Sequence, residues 1–444
     1  MTEPAEITAP LPGGRGLSGT LEPFKVLRHR GFRRLWIGLT TSTSGTSLRI
    51  LAASILIFQQ THSAAWVGAL NFLGFLPIVF LSLVGGLVVD RRGSRSVLVW
   101  AQSFSMCVSG SLAFLAAVHR ATPLILCSAV FLLGCSYFFT KPAAQSLIPV
   151  LVPPDVLTEA IGVNGLQFTL GLVFGPITAA LLLAFFGFAS AFAIDACTFG
   201  VLLLVALSMP RKGTFPHADR LDPQLHPAAR PARTGQIREA LRFVSRDRLL
   251  LILLLGIVSG TAGIEMVKTL MPVFVVQSLD LSPSTSGYLI AIFGFGTLIG
   301  IAGVPRAVAA LGSRKATAFA LVLLGGSMTA FSLSRSLWLA PVLMLGGVGH
   351  MLSFTVMTSK FFRLVPIPLR GRVLAVHALS FLGVSPFTAL GAGLLARAAG
   401  VVTAGAVTGG IAAGGGVAVW LLLGRLATRK VPGARPGGRL DETI

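Results

Sequence analysis

Residues 65–95 read AWVGALNFLGFLPIVFLSLVGGLVVDRRGSR, which is 25 uncharged and mostly apolar residues running into Asp90, Arg91, Arg92 and Arg95. A bilayer core about 30 Å thick is crossed by about 20 helical residues, so the apolar part is long enough to span it. The charges mark where it leaves the lipid. β-barrel strands would be shorter and would alternate in polarity, which this stretch does not.

The rest of the chain repeats the pattern. Of 444 residues, 54% are apolar and 11% charged, against about 25% charged in an ordinary soluble domain. The mean hydropathy is +0.83. A water-facing surface cannot be assembled from such a composition, which excludes a soluble globular protein. Twelve apolar stretches are long enough to span, at about 36–58, 65–89, 97–118, 122–145, 161–184, 188–208, 249–276, 285–308, 316–334, 337–361, 373–396 and 402–423. The expected fold class is therefore all-α membrane protein, with twelve transmembrane helices.

The net charge of +21 would suggest nucleic acid in a soluble protein, but its distribution follows the membrane instead. With the amino terminus inside, 30 of the 36 Lys and Arg fall on cytoplasmic segments and 3 on the other side (Arg120, Arg335 and Arg397). Arg49, Lys141 and Lys268 lie within spans. Positive charge on the inner side sets topology and suits anionic inner-leaflet lipid. No nucleic-acid partner is expected. The first twenty residues have no apolar core, so no cleavable signal peptide is read there. Cys107, Cys127, Cys135 and Cys197 sit in apolar runs without C-x-x-C spacing, so neither a disulfide framework nor a metal site is expected.

The expected organisation is a tail (1–34), a six-helix bundle (35–208), a Pro- and His-rich linker (209–248), a second bundle (249–424) and a tail (425–444), both termini cytoplasmic. Within the linker, QIREALRFVSRDRLL spaces its apolar residues as a surface helix. The bundles echo each other. Gly93-Ser94-Arg95 recurs as Gly312-Ser313-Arg314, and Gly175-Pro176-Ile177-Thr178-Ala179 is similar to Ser385-Pro386-Phe387-Thr388-Ala389. Duplicated halves usually place a substrate site at their interface near the bilayer midplane.

The segment Gly85 to Arg95 resembles the G-x-x-x-D-R-x-G-R-[RK] signature of the major facilitator superfamily, with Ser94 in place of the usual Arg. In the second half Ala309 stands where the acid would be. On this resemblance Gly86, Asp90, Arg91, Gly93 and Arg95 form a conformational latch. Gly171-Leu172-Val173-Phe174-Gly175-Pro176 resembles the G-x-x-x-G-P-x-x-G-G signature of proton-coupled exporters, with Ala179 and Ala180 where the last glycines would be. Small residues four apart permit close helix approach, and Pro removes a backbone donor. HRGFRRLWIGLTTSTSG, Pro149 to Pro153, FAIDACTF and Pro368 to Ala375 resemble the branch that includes the enterobactin exporter and macrolide efflux proteins. The resemblance implies two pseudo-symmetric bundles, alternating access and proton-driven expulsion of an amphipathic or apolar molecule.

An ionisable group inside a span is costly in hydrocarbon and normally faces a cavity or a partner. Glu265 is the candidate for proton coupling, because a carboxyl in a half-dry cavity can exchange its proton against cargo. Glu265 and Lys268 are three apart on one helix face, so they can also simply neutralise each other. Asp195 lies in the FAIDACTF pattern as either a coupling or a packing acid. Arg49 is placed to receive an anionic cargo group or to pair with Asp195 or Glu265. His350 and His377 are further titratable groups in the second half, and Phe138, Phe139 and Phe174 are candidates for lining an apolar pocket.

The expected function is proton-coupled efflux across a bacterial cytoplasmic membrane by a multi-pass monomer, with a small molecule, protons and lipid as partners and no cofactor. An importer or facilitator of the same fold is the alternative. A membrane-embedded transferase is further off, because no cytoplasmic loop carries the paired carboxylates that metal-diphosphate chemistry uses.

Overall fold

The computed structural model describes residues 22–81, 88–89, 91–209, 242–365, 376–377 and 379–428. Those residues form helices and short turns, with no strand among them.

After a 3₁₀ turn, Glu22–Arg28, the first half holds α1 Arg30–Thr61, α2 Ala64–Leu81, α3 Ser94–Ala117, α4 Pro123–Leu151, α5 Leu157–Phe185 and α6 Gly187–Ser208. The second holds α7 Arg248–Gly263, α8 Met271–Ser278, α9 Thr285–Ser334, α10 Ala340–Leu364, α11 Ser385–Ala399 and α12 Val401–Thr428. Ends are set locally. Thr122 Oγ1 accepts from the Ile125 N–H at the start of α4, and Asp247 accepts from the Leu249 and Leu250 N–H groups at the start of α7.

Among the described residues, nine helical stretches are long and apolar enough to cross a bilayer, and Ala64–Pro77 is a shorter apolar helix. The 32-residue α1 is not one of the nine, because Thr40 to Ser47 and Arg49 interrupt its apolar run. The stretches expected at 285–308 and 316–334 form one 50-residue element that turns at Gly312. The stretch expected at 249–276 is broken. A π turn, Met266–Leu270, joins α7 to α8, and a second, Leu379–Gly383, precedes α11. Pro272 and Pro386 follow these turns. A proline lacks the N–H that a continuing α-helix needs, and a wider turn is one way to absorb the mismatch. Of the expected surface helix in the linker, residues 242–246 are helical and the rest lies outside the described residues.

The sequence echo has a structural counterpart. Gly93 (φ 81°, ψ 140°) and Gly312 (φ 70°, ψ 157°) share a conformation that side chains with a Cβ rarely adopt. Two residues on, each arginine reaches the last helix of its own half. Arg95 donates from Nε to the Met209 carbonyl at 2.9 Å and from Nη2 to the Leu207 carbonyl at 3.1 Å, beyond α6 and within its last turn. Arg314 donates from Nε and Nη2 to the Trp420 carbonyl in α12, at 3.2 and 2.9 Å. Arg95 meets the negative end of α6, where a cation is favoured. Arg314 meets α12 about two turns before its end, and both turns pin the last helix of their half.

The halves are joined unevenly. At the end carrying residues 61–70, 121–130 and 396–404, one continuous apolar core runs through both halves, from Leu48, Ile57 and Leu70 to Phe274, Phe331 and Ala404. At the opposite end each half keeps its own core, around Phe32, Leu147 and Leu202 in one and Leu253, Phe361 and Leu423 in the other. Two crossings make the shared seam, α2 on α11 and α5 on α9. Glycines allow the backbones to meet there. A Cβ on Gly68 would lie 2.8 Å from the Ala389 carbonyl oxygen and 3.0 Å from Gly393 Cα, and one on Gly287 would strike the Pro176 carbonyl.

Candidate functional site

At the unshared end of the first half a cleft opens, holding about 650 Å³ of space with its solvent-filled mouth included. Polar side chains from four of its five wall helices line it: Ser42, Thr43 and Arg49 from α1, Gln102 from α3, Tyr137 and Lys141 from α4, and Asn164 and Gln167 from α5, while α6 contributes Phe199. A chain of hydrogen bonds fixes one wall. Ser105 Oγ donates to Ser136 Oγ at 2.6 Å, Thr140 Oγ1 donates to the Ser136 carbonyl at 3.1 Å, and Gln102 Nε2 donates to Thr140 Oγ1 at 2.8 Å.

Behind that wall lies the first expected ion pair. Arg49 Nε stands 3.0 Å from Asp195 Oδ2, joining α1 to α6, with Asp195 fully buried and Arg49 4% exposed. Ser109 Oγ on α3 donates to the same oxygen at 2.7 Å. Of the two partners open to Arg49, the fold selects Asp195. Arg49 Nη1 and Asp195 Oδ1 are buried without a hydrogen-bond partner.

The second pair sits on the first π turn. Lys268 Nζ donates to Glu265 Oε1 at 3.3 Å and to Ser385 Oγ at 2.6 Å. Thr269 Oγ1 donates to Glu265 Oε2 at 2.6 Å, and Thr388 Oγ1 donates to Oε1 at 3.1 Å. The Lys268 ammonium also lies 5.0 Å from the ring centre of Phe75 on α2, a cation-π contact between the halves. The wider turn directs Glu265 and Lys268 toward the start of α11, where Ser385 and Thr388 wait.

The expected exporter motif is a wedge. Gly171 packs on Thr43 of α1, Gly175 on Ser44, Ser47 and Leu48, and Pro176 presents its carbonyl to Gly287 of α9. Thus α5 is held between its own bundle and the other one. Of the latch residues, Gly86 and Asp90 lie outside the described residues. Arg91 is exposed, and Gly93 and Arg95 form the turn described above.

Other candidates fall elsewhere. Phe174 is exposed on the outside of α5, and Phe138 packs against Phe139, which meets Trp100; none of the three lines the cavity. The buried His350 packs against Phe293, and Thr358 Oγ1 lies 3.1 Å from His377 Nε2. Among the described residues no group of three His, Cys, Asp or Glu side chains is placed to hold a metal ion. Sequence reading missed the uncharged partners: Ser109, Thr269, the cavity amides Gln102 and Gln167, and Phe75. Ser385 and Thr388 had a signal, since both stand in the repeat of the Gly175-Pro176 motif.

A family model described as transmembrane secretion effector matches residues 20–431. The multidrug efflux pump Tap of Mycolicibacterium fortuitum is 26% identical over 375 residues, covering 81% of this chain and 88% of Tap. Macrolide efflux protein A of Streptococcus pyogenes is 26% identical over 165 residues, covering 37% of this chain and 40% of its own length. The enterobactin exporter EntS of Salmonella typhi is 27% identical over 279 residues, covering 61% and 63%. The chain thus spans less than two thirds of those last two relatives. Among solved structures, a bacterial homologue of the lysosomal transporter Spinster, inward-facing and unoccupied, superposes with a TM-score of 0.69 at 16% identity, over 92% of this chain and all of that one. The nucleoside transporter NupG gives 0.69 at 14% identity, over 88% and 99%. Both likenesses concern the fold.

Proposed function

The chain belongs to the transmembrane secretion effector family of major facilitator transporters, and on that premise we propose that it exports a small organic molecule by alternating access, driven by protons. The observation that carries the reading is the uneven joining of the halves: one apolar core shared at one end, and a polar cavity with separate cores at the other. This is the shape of a carrier stopped with one gate shut. Export is favoured by the relatives named for macrolide, multidrug and enterobactin efflux.

In this reading residues 35–208 and 249–424 are the two rocking bundles, twelve spans in all, with 1–34, 209–248 and 425–444 on the cytoplasmic side of a bacterial inner membrane. The open cavity then faces the cytoplasm and loads cargo there. The Gly86, Asp90, Arg91, Gly93 and Arg95 turn latches the bundle ends at that face when the cavity closes. The wedge at Gly171, Gly175 and Pro176 carries the movement of α9 to α1.

Glu265 accepts the driving proton. Neutralised, it releases Lys268, which keeps Ser385 and leans on Phe75 across the seam. A proton on one carboxyl thereby changes a contact between the halves. Glu265 is fully supplied with donors by Lys268, Thr269 and Thr388, and this satisfaction favours a second reading, a static pair.

Inverted membrane vesicles energised with a proton gradient separate the readings. They are assayed for uptake of erythromycin, ethidium and a catecholate siderophore. We expect gradient-driven uptake of at least one compound, abolished by a protonophore and by Glu265→Gln with membrane insertion unchanged. Uptake in right-side-out vesicles alone would overturn export, and uptake indifferent to the protonophore and to the substitution would overturn coupling.

A further inference from the structure

The wall chemistry of the cavity narrows its cargo. Two cationic side chains, Arg49 and Lys141, line it, and no lining residue is acidic. The two buried carboxylates among the described residues are both occupied, Asp195 by Arg49 and Ser109, and Glu265 by Lys268, Thr269 and Thr388. A lipophilic cation would therefore meet positive charge and no available carboxylate. Among the described residues, no carboxylate lies within salt-bridge distance of Lys141.

Three lining residues also carry a buried polar atom without a hydrogen-bond partner: Arg49 Nη1, Gln102 Oε1 and Gln167 Oε1. Such atoms are rare in folded proteins, because each forgoes the hydrogen bond it would make in water. For Gln102 the chemical sense is fixed. Thr140 Oγ1 gives its only proton to the Ser136 carbonyl, so it can only accept from Gln102, whose amide must turn Nε2 toward it and leave Oε1 open. Gln167 shares one amide–amide hydrogen bond with Asn164 at 3.3 Å, which leaves the other end of its amide to offer. The guanidinium offers only donors. Among the described residues the wall thus lacks a carboxylate beside Lys141 and a hydrogen donor for Gln102 Oε1.

We infer that the cargo is a hydroxylated or amide-bearing organic anion. Its anionic group is taken by Lys141, with Arg49 Nη1 adding a hydrogen bond beside its pairing to Asp195, its O–H or N–H group by Gln102, and a further polar group by Gln167. The inference rests on the exporter reading for its cargo path, but it concerns recognition and not direction.

The test is equilibrium binding to the purified full-length protein in detergent micelles. The probes are gallate, shikimate and 2,3-dihydroxybenzoate, each beside its uncharged methyl ester, and tetraphenylphosphonium as the lipophilic cation. We expect at least one acid to bind about tenfold tighter than its ester, a charge-assisted contact being stronger than a neutral one. Lys141→Met should remove that preference, Lys141→Arg restore it, and Gln102→Leu weaken acid and ester alike. Lys141 is exposed within the cavity, so its replacement leaves the packed core intact. The comparison of acid with ester on the unmodified protein needs no variant at all. Equal binding of every acid and ester, no binding of any acid, or tighter binding of tetraphenylphosphonium would each overturn the inference. An acid that binds as expected but is not carried by energised inverted vesicles would instead refute the exporter reading and leave this one standing.

Discussion

Removing the Asp195 carboxylate should destabilise the protein more than removing its cation. At 3.0 Å, with an effective dielectric of about 20, the pair attracts by about 5 kcal/mol. Leaving one member of a buried pair alone costs about 3–5 kcal/mol. Arg49 also lines the cavity, where water can reach part of it, so Asp195→Asn should fall at the lower end, about 3 kcal/mol. Asparagine retains an oxygen for Ser109, whose hydroxyl also has the Phe192 carbonyl at 3.1 Å, so little is added from that side. Arg49→Met differs. The stranded carboxyl can take up a proton and become a neutral hydrogen-bonded acid, an escape the guanidinium lacks, so the loss should be about 1–2 kcal/mol. Arg49→Met with Asp195→Leu replaces both charges with apolar groups and should lose less than Asp195→Asn alone. Reversible unfolding in mixed detergent micelles, followed by tryptophan fluorescence, yields the four free energies, and Asp195→Leu alone closes the cycle that gives their coupling. An Asp195→Asn protein within about 1 kcal/mol of the parent, or a double variant that is the least stable of the set, would refute the reasoning.

Two further outcomes follow from the seams and turns. Gly68→Val should prevent α2 from closing on α11, since even a Cβ meets Gly393 at 3.0 Å; an Ala389→Cys reporter should then react with maleimide several-fold faster than with Gly68 intact, and an unchanged rate would mean the crossing is not a gate. Arg95→Met should loosen the end of α6 by about 1–3 kcal/mol in the same unfolding assay, and Arg95→Lys should not rescue it, because one ammonium cannot match the guanidinium fork on two carbonyls; full rescue by lysine would reduce the contact to simple charge.

Much of this molecule follows from the sequence by physics that acts locally. A long uncharged run has no stable place outside lipid, and backbone groups in lipid must pair within their own helix, so the apolar stretches dictate a helical membrane protein. The recurrence of Gly-Ser-Arg was visible as letters, and it became two turns of one shape because only glycine tolerates that backbone. Burial cost alone marked Arg49, Asp195, Glu265 and Lys268 as residues needing partners.

Which partner each found was settled by the packing of distant helices. Arg49 could have met Asp195 or Glu265, and the approach of α1 to α6 made the choice. Ser109, Thr388 and Phe75 carry no charge, so nothing in their local sequence announced them; each matters through a helix remote in the chain. The same holds for Gly68, Gly287 and Gly393, which read as ordinary small residues until two backbones touch there. Hydrophobic burial depends on composition and is written along the chain, whereas ion pairing, cavity shape and gate closure depend on distances that exist only once the helices have packed.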